Sequence, residues 1–244
     1  MRRRTFIKKS GATGIVLAAI PMELIGQEVE YSVMELMGKT DIDLYGKDIN
    51  LRKEAHDAFL EMKRAAYNDG IDIKIVSSYR NFLRQEAIFE RKFLKYTEED
   101  GMEALAAIDK IIEYSTIPGT SRHHWGTDID IIDGHRKTQG DVLVTEKFGA
   151  GGPFEDLKQW MGENSKTYDY HLVYTDDAKR RGFKYEPWHY SYAPISRPML
   201  ETFRGKNIVQ LLQREEFIGA EHFTIGFLKT YIQDNILGIN KVLL

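Results

Sequence analysis

The stretch Ser121-Arg-His-His-Trp-Gly-Thr-Asp-Ile-Asp130 constrains this chain more than any other. Its second half alternates acid and aliphatic residues, and successive side chains of a strand point to opposite faces. Thr127, Ile129 and Ile131 therefore share one face, and Asp128 and Asp130 the other. Burying the isoleucines leaves two carboxylates on the far side of the strand, just after a turn that carries His123 and His124. Histidine offers nitrogen to a metal and aspartate offers oxygen, so a turn and strand carrying both can close on one. The alternative reading is a polar turn.

The composition narrows the chemistry. The chain contains no cysteine, which excludes disulfides, thiolate zinc sites, a Cys nucleophile and a lipidated Cys. Any metal has to be held by His, Asp or Glu. The 244 residues are 42% hydrophobic and 29% charged, enough for one substantial core with an appendage. The first 26 residues carry a net charge of +4 and the remainder −7, giving −3 in all, so a nucleic-acid partner is disfavoured. That basic start reads as an address. Gly11 to Met22 is apolar but too short for a comfortable membrane span. Arg3-Arg4-Thr5-Phe6-Ile7-Lys8 resembles the twin-arginine export pattern. Leu24-Ile25-Gly26 stands where a cleavage site is expected, and an uncleaved anchor or a basic helix start is the competing reading. The expectation is a signal segment over residues 1–26 and an exported, periplasmic or extracytoplasmic protein with no membrane span after processing.

Periodicity organises the rest. Ala55, Phe59, Met62 and Ala66 fall on one helical face, with Asn68-Asp69-Gly70 as a stop. Ile71, Ile73 and Ile75 alternate as a strand that delivers Ser77-Ser78-Tyr79-Arg80 at its end. Two more amphipathic helices are marked by Phe82, Phe89 and Phe93, and by Met102, Leu105, Ile108 and Ile112. The segment Ser115 to Gly126 is turn-rich and expected to be irregular. Phe154 to Met161 reads as a short helix. Tyr170 to Tyr174 and Tyr185 to Tyr192 read as strands. Gly149 to Gly152 form a loop able to rim a cleft. From residue 196 to 244 the texture is helical and carries no motif.

A single histidine is most often structural, and His56, His135, His171 and His222 stay at that level. His123 gains weight from Asp130 on the following strand and from a late cluster, Glu186-Pro187-Trp188-His189. Two histidines, one carboxylate and a water make an open tetrahedral zinc site. Glu186 is then free to accept a proton from water beside it, as a general base. His124 and Trp188 are read as flanking and packing residues, and Tyr79 and Tyr190 as candidates for the cleft wall or the core.

The pattern Ser121-x-His123-x-x-Gly126-x-Asp128-x-Asp130 resembles the S-x-H-x-x-G-x-A-x-D motif of the VanY-like D-alanyl-D-alanine carboxypeptidases, and Glu186-Pro187-Trp188-His189 resembles their E-x-W-H motif. These zinc peptidases share a superfamily with lysostaphin-type enzymes and the Hedgehog signalling domain. The similar region runs from about Leu51 to Tyr192. The resemblance implies Zn2+ held by His123, Asp130 and His189, with Glu186 as catalytic base. It implies that Arg80, in the family's S-x-Y-R segment, receives the substrate's terminal carboxylate, with Ser121 also placed to contact substrate. It further implies an α+β fold, a small mainly antiparallel sheet carrying the zinc cleft and flanked by helices. The expected layout is a catalytic domain over residues 27–195 and a helical C-terminal extension over 196–244. The expected partner is a peptidoglycan stem peptide cut at its terminal peptide bond. An L,D-carboxypeptidase, a D,D-endopeptidase and a non-catalytic cell-wall binding protein are the alternatives. One position departs from the pattern: Asp128 stands where alanine is usual, able to buttress a ligand, compete for metal or face solvent.

Overall fold

The computed structural model describes residues 31–244. The segment assigned to residues 1–26 lies outside them. Among the described residues, eight α-helices flank one four-stranded antiparallel sheet of order β1-β2-β4-β3, the α+β arrangement that the family resemblance implied.

After α1 (Val33–Leu36), α2 (Lys53–Asn68) buries Ala55, Phe59, Met62 and Ala66, the face marked by their spacing. β1 (Ile73–Ser77) buries Ile73 and exposes Lys74. α3 (Phe82–Leu94) is N-capped by Asn81, whose side chain accepts from the Arg84 N–H, and buries Phe82, Phe89 and Phe93. α4 (Ala104–Ile111) departs from expectation. Met102 precedes the helix, Leu105 is exposed, and the buried face is Ala107, Ile108 and Ile111. Of the stripe counted from Met102, Ile108 is buried and Met102 and Ile112 pack against the same core, while Leu105 alone faces out.

The segment expected to be irregular contains a 3-10 turn, Arg122–Trp125, immediately before β2 (Asp128–Asp133). α5 (Glu155–Asn164), β3 (Tyr170–Leu172) and β4 (His189–Tyr192) come next. β2 pairs with β1 on one side and β4 on the other, placing Asp130 across from His189 and Asp128 across from Ser191. The register with β1 shifts after Ile75, so that Ser77 faces Asp130. Such a bulge bends the strand and re-aims the residues beyond it, here Ser78 to Arg80.

Apolar burial is gathered into two clusters. The sheet, α2 and α5 bury Ile73, Ile129, Ile131, Phe59, Trp160 and Tyr170 together. The second cluster joins α3 and α4 to the helices after the sheet: α6 (Ala193–Arg204), α7 (Ile208–Leu212) and α8 (Ile225–Tyr231). Met199, Phe203, Leu228 and Tyr231 lie in it with Phe82 and Phe89. Each such side chain is worth about 1.5–3 kcal/mol of burial, so the late helices supply a large part of this core. They also reach back by hydrogen bonds. Tyr231 Oη accepts from the Ile117 N–H (3.1 Å) and pairs with Thr120 Oγ1 (2.8 Å). Asn240 donates its backbone N–H to the Val173 carbonyl and its side-chain amide to the Leu172 carbonyl, each at 2.9 Å. No helix among the described residues is long and apolar enough to cross a membrane.

Candidate active site

The pairing of β2 with β4 sets Asp130 beside His189, and the 3-10 turn brings His123 to both. One ligand atom from each of the three lies within 4.8 Å of the others, and all three side chains are buried. His123 Nε2 is 3.2 Å from Asp130 Oδ2, and His189 Nδ1 is 3.6 Å from Asp130 Oδ1. Asp130 Oδ1 is buried with no hydrogen-bond partner among the described residues. A carboxylate oxygen so placed is expensive unless a cation completes it. Two imidazole nitrogens and a carboxylate fit zinc with a coordination position left open.

Local geometry explains how His123 reaches the centre. Ser121 Oγ accepts from the His123 N–H and starts the turn, and Gly126 ends it in the left-handed region at φ +67°. A Cβ on Gly126 would sit 3.1 Å from Leu44, so the turn passes close to that side chain. His123 Nδ1 lies 2.7 Å from the Ser78 carbonyl and donates to it, which leaves Nε2 with its lone pair facing Asp130. The Arg80 N–H in turn donates to the His123 carbonyl (3.1 Å). His124 completes the lacing: Nδ1 donates to the Arg80 carbonyl (2.6 Å) and Nε2 accepts from the Gly119 N–H (3.2 Å). Both of its nitrogens are engaged, and burial pushes its pKa down to about 3. His124 is therefore a neutral strut between the turn and the segment carrying Arg80.

Glu186 is buried, with Oε2 3.0 Å from His189 Nδ1. Burial raises its pKa, outweighing the pull of His189 in the opposite direction. A carboxylate moved toward neutrality is better matched to taking up and returning a proton. For the protein moiety alone, burial disfavours a charged His189, but Asp130, Asp128 and Glu186 outweigh it and leave the ring pushed up to about 10. Asp128 is fully buried rather than facing solvent, and its Oδ2 is 3.0 Å from His189 Nε2. Burial favours its neutral form, yet Arg122 and His189 hold it well below the usual carboxylate range.

His123, Asp130, His189 and Glu186 open onto a cleft of about 470 Å3. Arg80 lines it, with a buried Nε that has no hydrogen-bond partner among the described residues. The cleft lies where the two apolar clusters meet, with Trp188 from one and Tyr174 and Phe183 from the other. Trp188 also packs on Phe148 at 5.6 Å, as a residue beneath the site should. Tyr79 and Tyr190 are not among the lining residues, and Tyr190 is buried in the sheet cluster. The rim is formed by residues 141–146 rather than by the glycine loop that comes after them. Sequence reading missed Lys92, a second cation in the cleft, as well as Arg122 and Tyr174. Ile88 and Lys92 of α3 and Tyr96 of the π-helical turn that continues it recur at helical spacing, a stripe masked by the phenylalanines on the other face.

The profile of the VanY family, described as D-alanyl-D-alanine carboxypeptidase, matches residues 48–195, which hold both motifs and Arg80. The chain belongs to the VanY family. At the level of that family it is a zinc-dependent carboxypeptidase. A relative, the putative carboxypeptidase YodJ of Bacillus subtilis, is 28% identical over 204 residues, which cover 83% of this chain and 61% of the relative. Among solved structures, VanYB in complex with D-alanine-D-alanine is 22% identical with a TM-score of 0.52, covering 73% of this chain and 92% of that one. The vancomycin-resistance D,D-pentapeptidase VanY of the VanB-type cassette, in complex with Zn(II), is 22% identical with a TM-score of 0.51, covering 70% and 90%. Both share the VanY fold with this chain.

Proposed function

We propose that the protein is a D-alanyl-D-alanine carboxypeptidase that removes the last residue of peptidoglycan stem peptides, with His123, Asp130 and His189 holding zinc. The observation that carries this reading is one cleft in which three converging ligand atoms, a buried Glu186 and the unpaired Arg80 guanidinium meet. The relatives' named activity and the D-alanine-D-alanine and Zn(II) bound in VanY structures support it. When bound, zinc supplies Lewis acidity at the scissile carbonyl. Glu186 accepts the proton of the attacking water and returns it to the departing amine. Arg80 presents a planar fork to the terminal carboxylate and so selects a free chain end. Ser121 both caps the turn and faces the cleft, within reach of a bound peptide.

The test is incubation of the zinc-loaded protein with defined muropeptides, with cleavage read by mass. Free pentapeptide stems should lose one D-alanine, while amidated or cross-linked stems should be poor substrates. Arg80→Lys should weaken cleavage of the free peptide by about 1.5–3 kcal/mol, and Glu186→Gln should lose about 100-fold in turnover while keeping its metal. Equal cleavage of free and amidated peptides would replace the assignment by the endopeptidase alternative. We also propose export by the twin-arginine route, on the strength of Arg3 and Arg4. Replacing both by Lys should trap precursor inside the cell, and unchanged export would remove that route.

A further inference from the structure

We propose that Asp128 is a positioning residue for the metal centre: it holds the His189 ring by Nε2 so that Nδ1 is the nitrogen offered to the metal. The proposal rests on His189 being a ligand. Alanine, usual at this place in the family pattern, has no atom able to make this contact.

An ionised carboxylate only accepts hydrogen bonds, so keeping the 3.0 Å contact between Asp128 Oδ2 and His189 Nε2 requires a proton on Nε2 and leaves Nδ1 as the nitrogen that gives up its proton to a metal. The same ring orientation points Nδ1 at Glu186 (3.0 Å) and Asp130 (3.6 Å). Turning the ring over would exchange the two nitrogens and break the bond to Asp128. Asp128 cannot follow such a turn, because the rest of its hydrogen-bonding capacity is engaged. Thr127 Oγ1 and Ser191 Oγ donate to Oδ1 at 2.7 and 2.6 Å, and Arg122 Nε donates to Oδ2 at 2.9 Å. Arg122 also donates to Ser191 Oγ at 2.7 Å, closing a ring of partners buried inside the protein.

The two histidines are thus held by opposite ends. His123 is held at Nδ1 by a neutral backbone carbonyl, whereas His189 is held at Nε2 by a carboxylate. A carboxylate on the distal nitrogen fixes the tautomer and makes the ring a stronger donor, and losing such a partner typically costs 10- to 100-fold in metal affinity. A purely structural Asp128, serving only as the counter-ion of Arg122, would leave affinity untouched.

Three measurements decide between these roles. Nitrogen-15 NMR of the zinc-loaded parent protein should show His189 protonated at Nε2 and bare of hydrogen at Nδ1; the reverse tautomer would overturn the proposal. Zinc affinity, read by competition with a chelator, should fall about 10- to 100-fold in Asp128→Asn and in the double variant Asp128→Ala/Arg122→Met. The double variant removes both members of the buried pair and leaves no uncompensated guanidinium. Folded variants whose affinity stays within about twofold of the parent would overturn the proposal. If neither variant folds, the tautomer in the parent decides. His189→Ala separates this failure from failure of the ligand assignment. Parental zinc uptake by His189→Ala would remove the ligand itself. Lost uptake there with parental uptake in the Asp128 variants would remove only the positioning role.

Discussion

His124 shows how much a residue's neighbours, rather than its type, decide what it does. It adjoins a proposed ligand in sequence, yet its ring bridges two backbone segments and stays neutral. In the unfolded chain the same ring titrates near 6.5, against about 3 in the native protein. Above pH 6.5 both states are neutral and the difference contributes nothing. Between pH 6.5 and 3 the unfolded chain takes up a proton that the native state refuses, so stability falls by about 1.4 kcal/mol per pH unit from this residue alone. Below pH 3 the loss levels off. His124→Gln is expected to be less stable at pH 7.5 and to lose stability less steeply from pH 6 to 4, as read from denaturant midpoints. Equal slopes in parent and variant would contradict the assignment. The candidate ligands and Glu186 were legible because motif spacing carries them. The partners of His124 and Asp128 were not, since Gly119, Arg80 and Ser191 meet them only through the folded backbone.

Among the elements, the segment between β3 and β4 is the one on which most depends. It carries Tyr174 and Glu186 into the cleft and is braced from outside by the turn Ile232–Ile236. Gly182 makes the brace possible: at φ +83°, a Cβ there would lie 2.0 Å from the Asp234 carbonyl oxygen. Gly182→Ala should cost about 1–3 kcal/mol for overpacking, with a further 1–3 for a left-handed non-glycine residue. Thermal unfolding checks this, and an unchanged midpoint would mean that the contact is not made. Helix faces and strands could be read where apolar spacing continued through the whole element, as in α2 and β1. In α4 the stripe was read one residue off at Leu105, because Met102, which packs on the core from before the helix, set its start. The bulge in β1 leaves no mark in a row of alternating isoleucines, yet it turns Arg80 toward the site.

For the molecule as a whole, the α+β class came from the motifs through the family they mark, while the partner of each apolar face stayed hidden. Spacing tells that Leu228 and Tyr231 are covered, but only packing shows them sharing a core with Phe89 of α3. That sharing, with the bonds from Tyr231 to the segment before the 3-10 turn and from Asn240 to the end of β3, bears on the order of events during synthesis. A nascent chain that has emerged as far as His189 already owns every residue assigned to the metal and to proton transfer. It still lacks the late segments that pack on α3 and bond back to Ile117, Thr120 and Leu172. Zinc uptake is therefore expected only once the chain has passed residue 240, and a product that ends at His189 is expected to carry the complete motif without binding the metal.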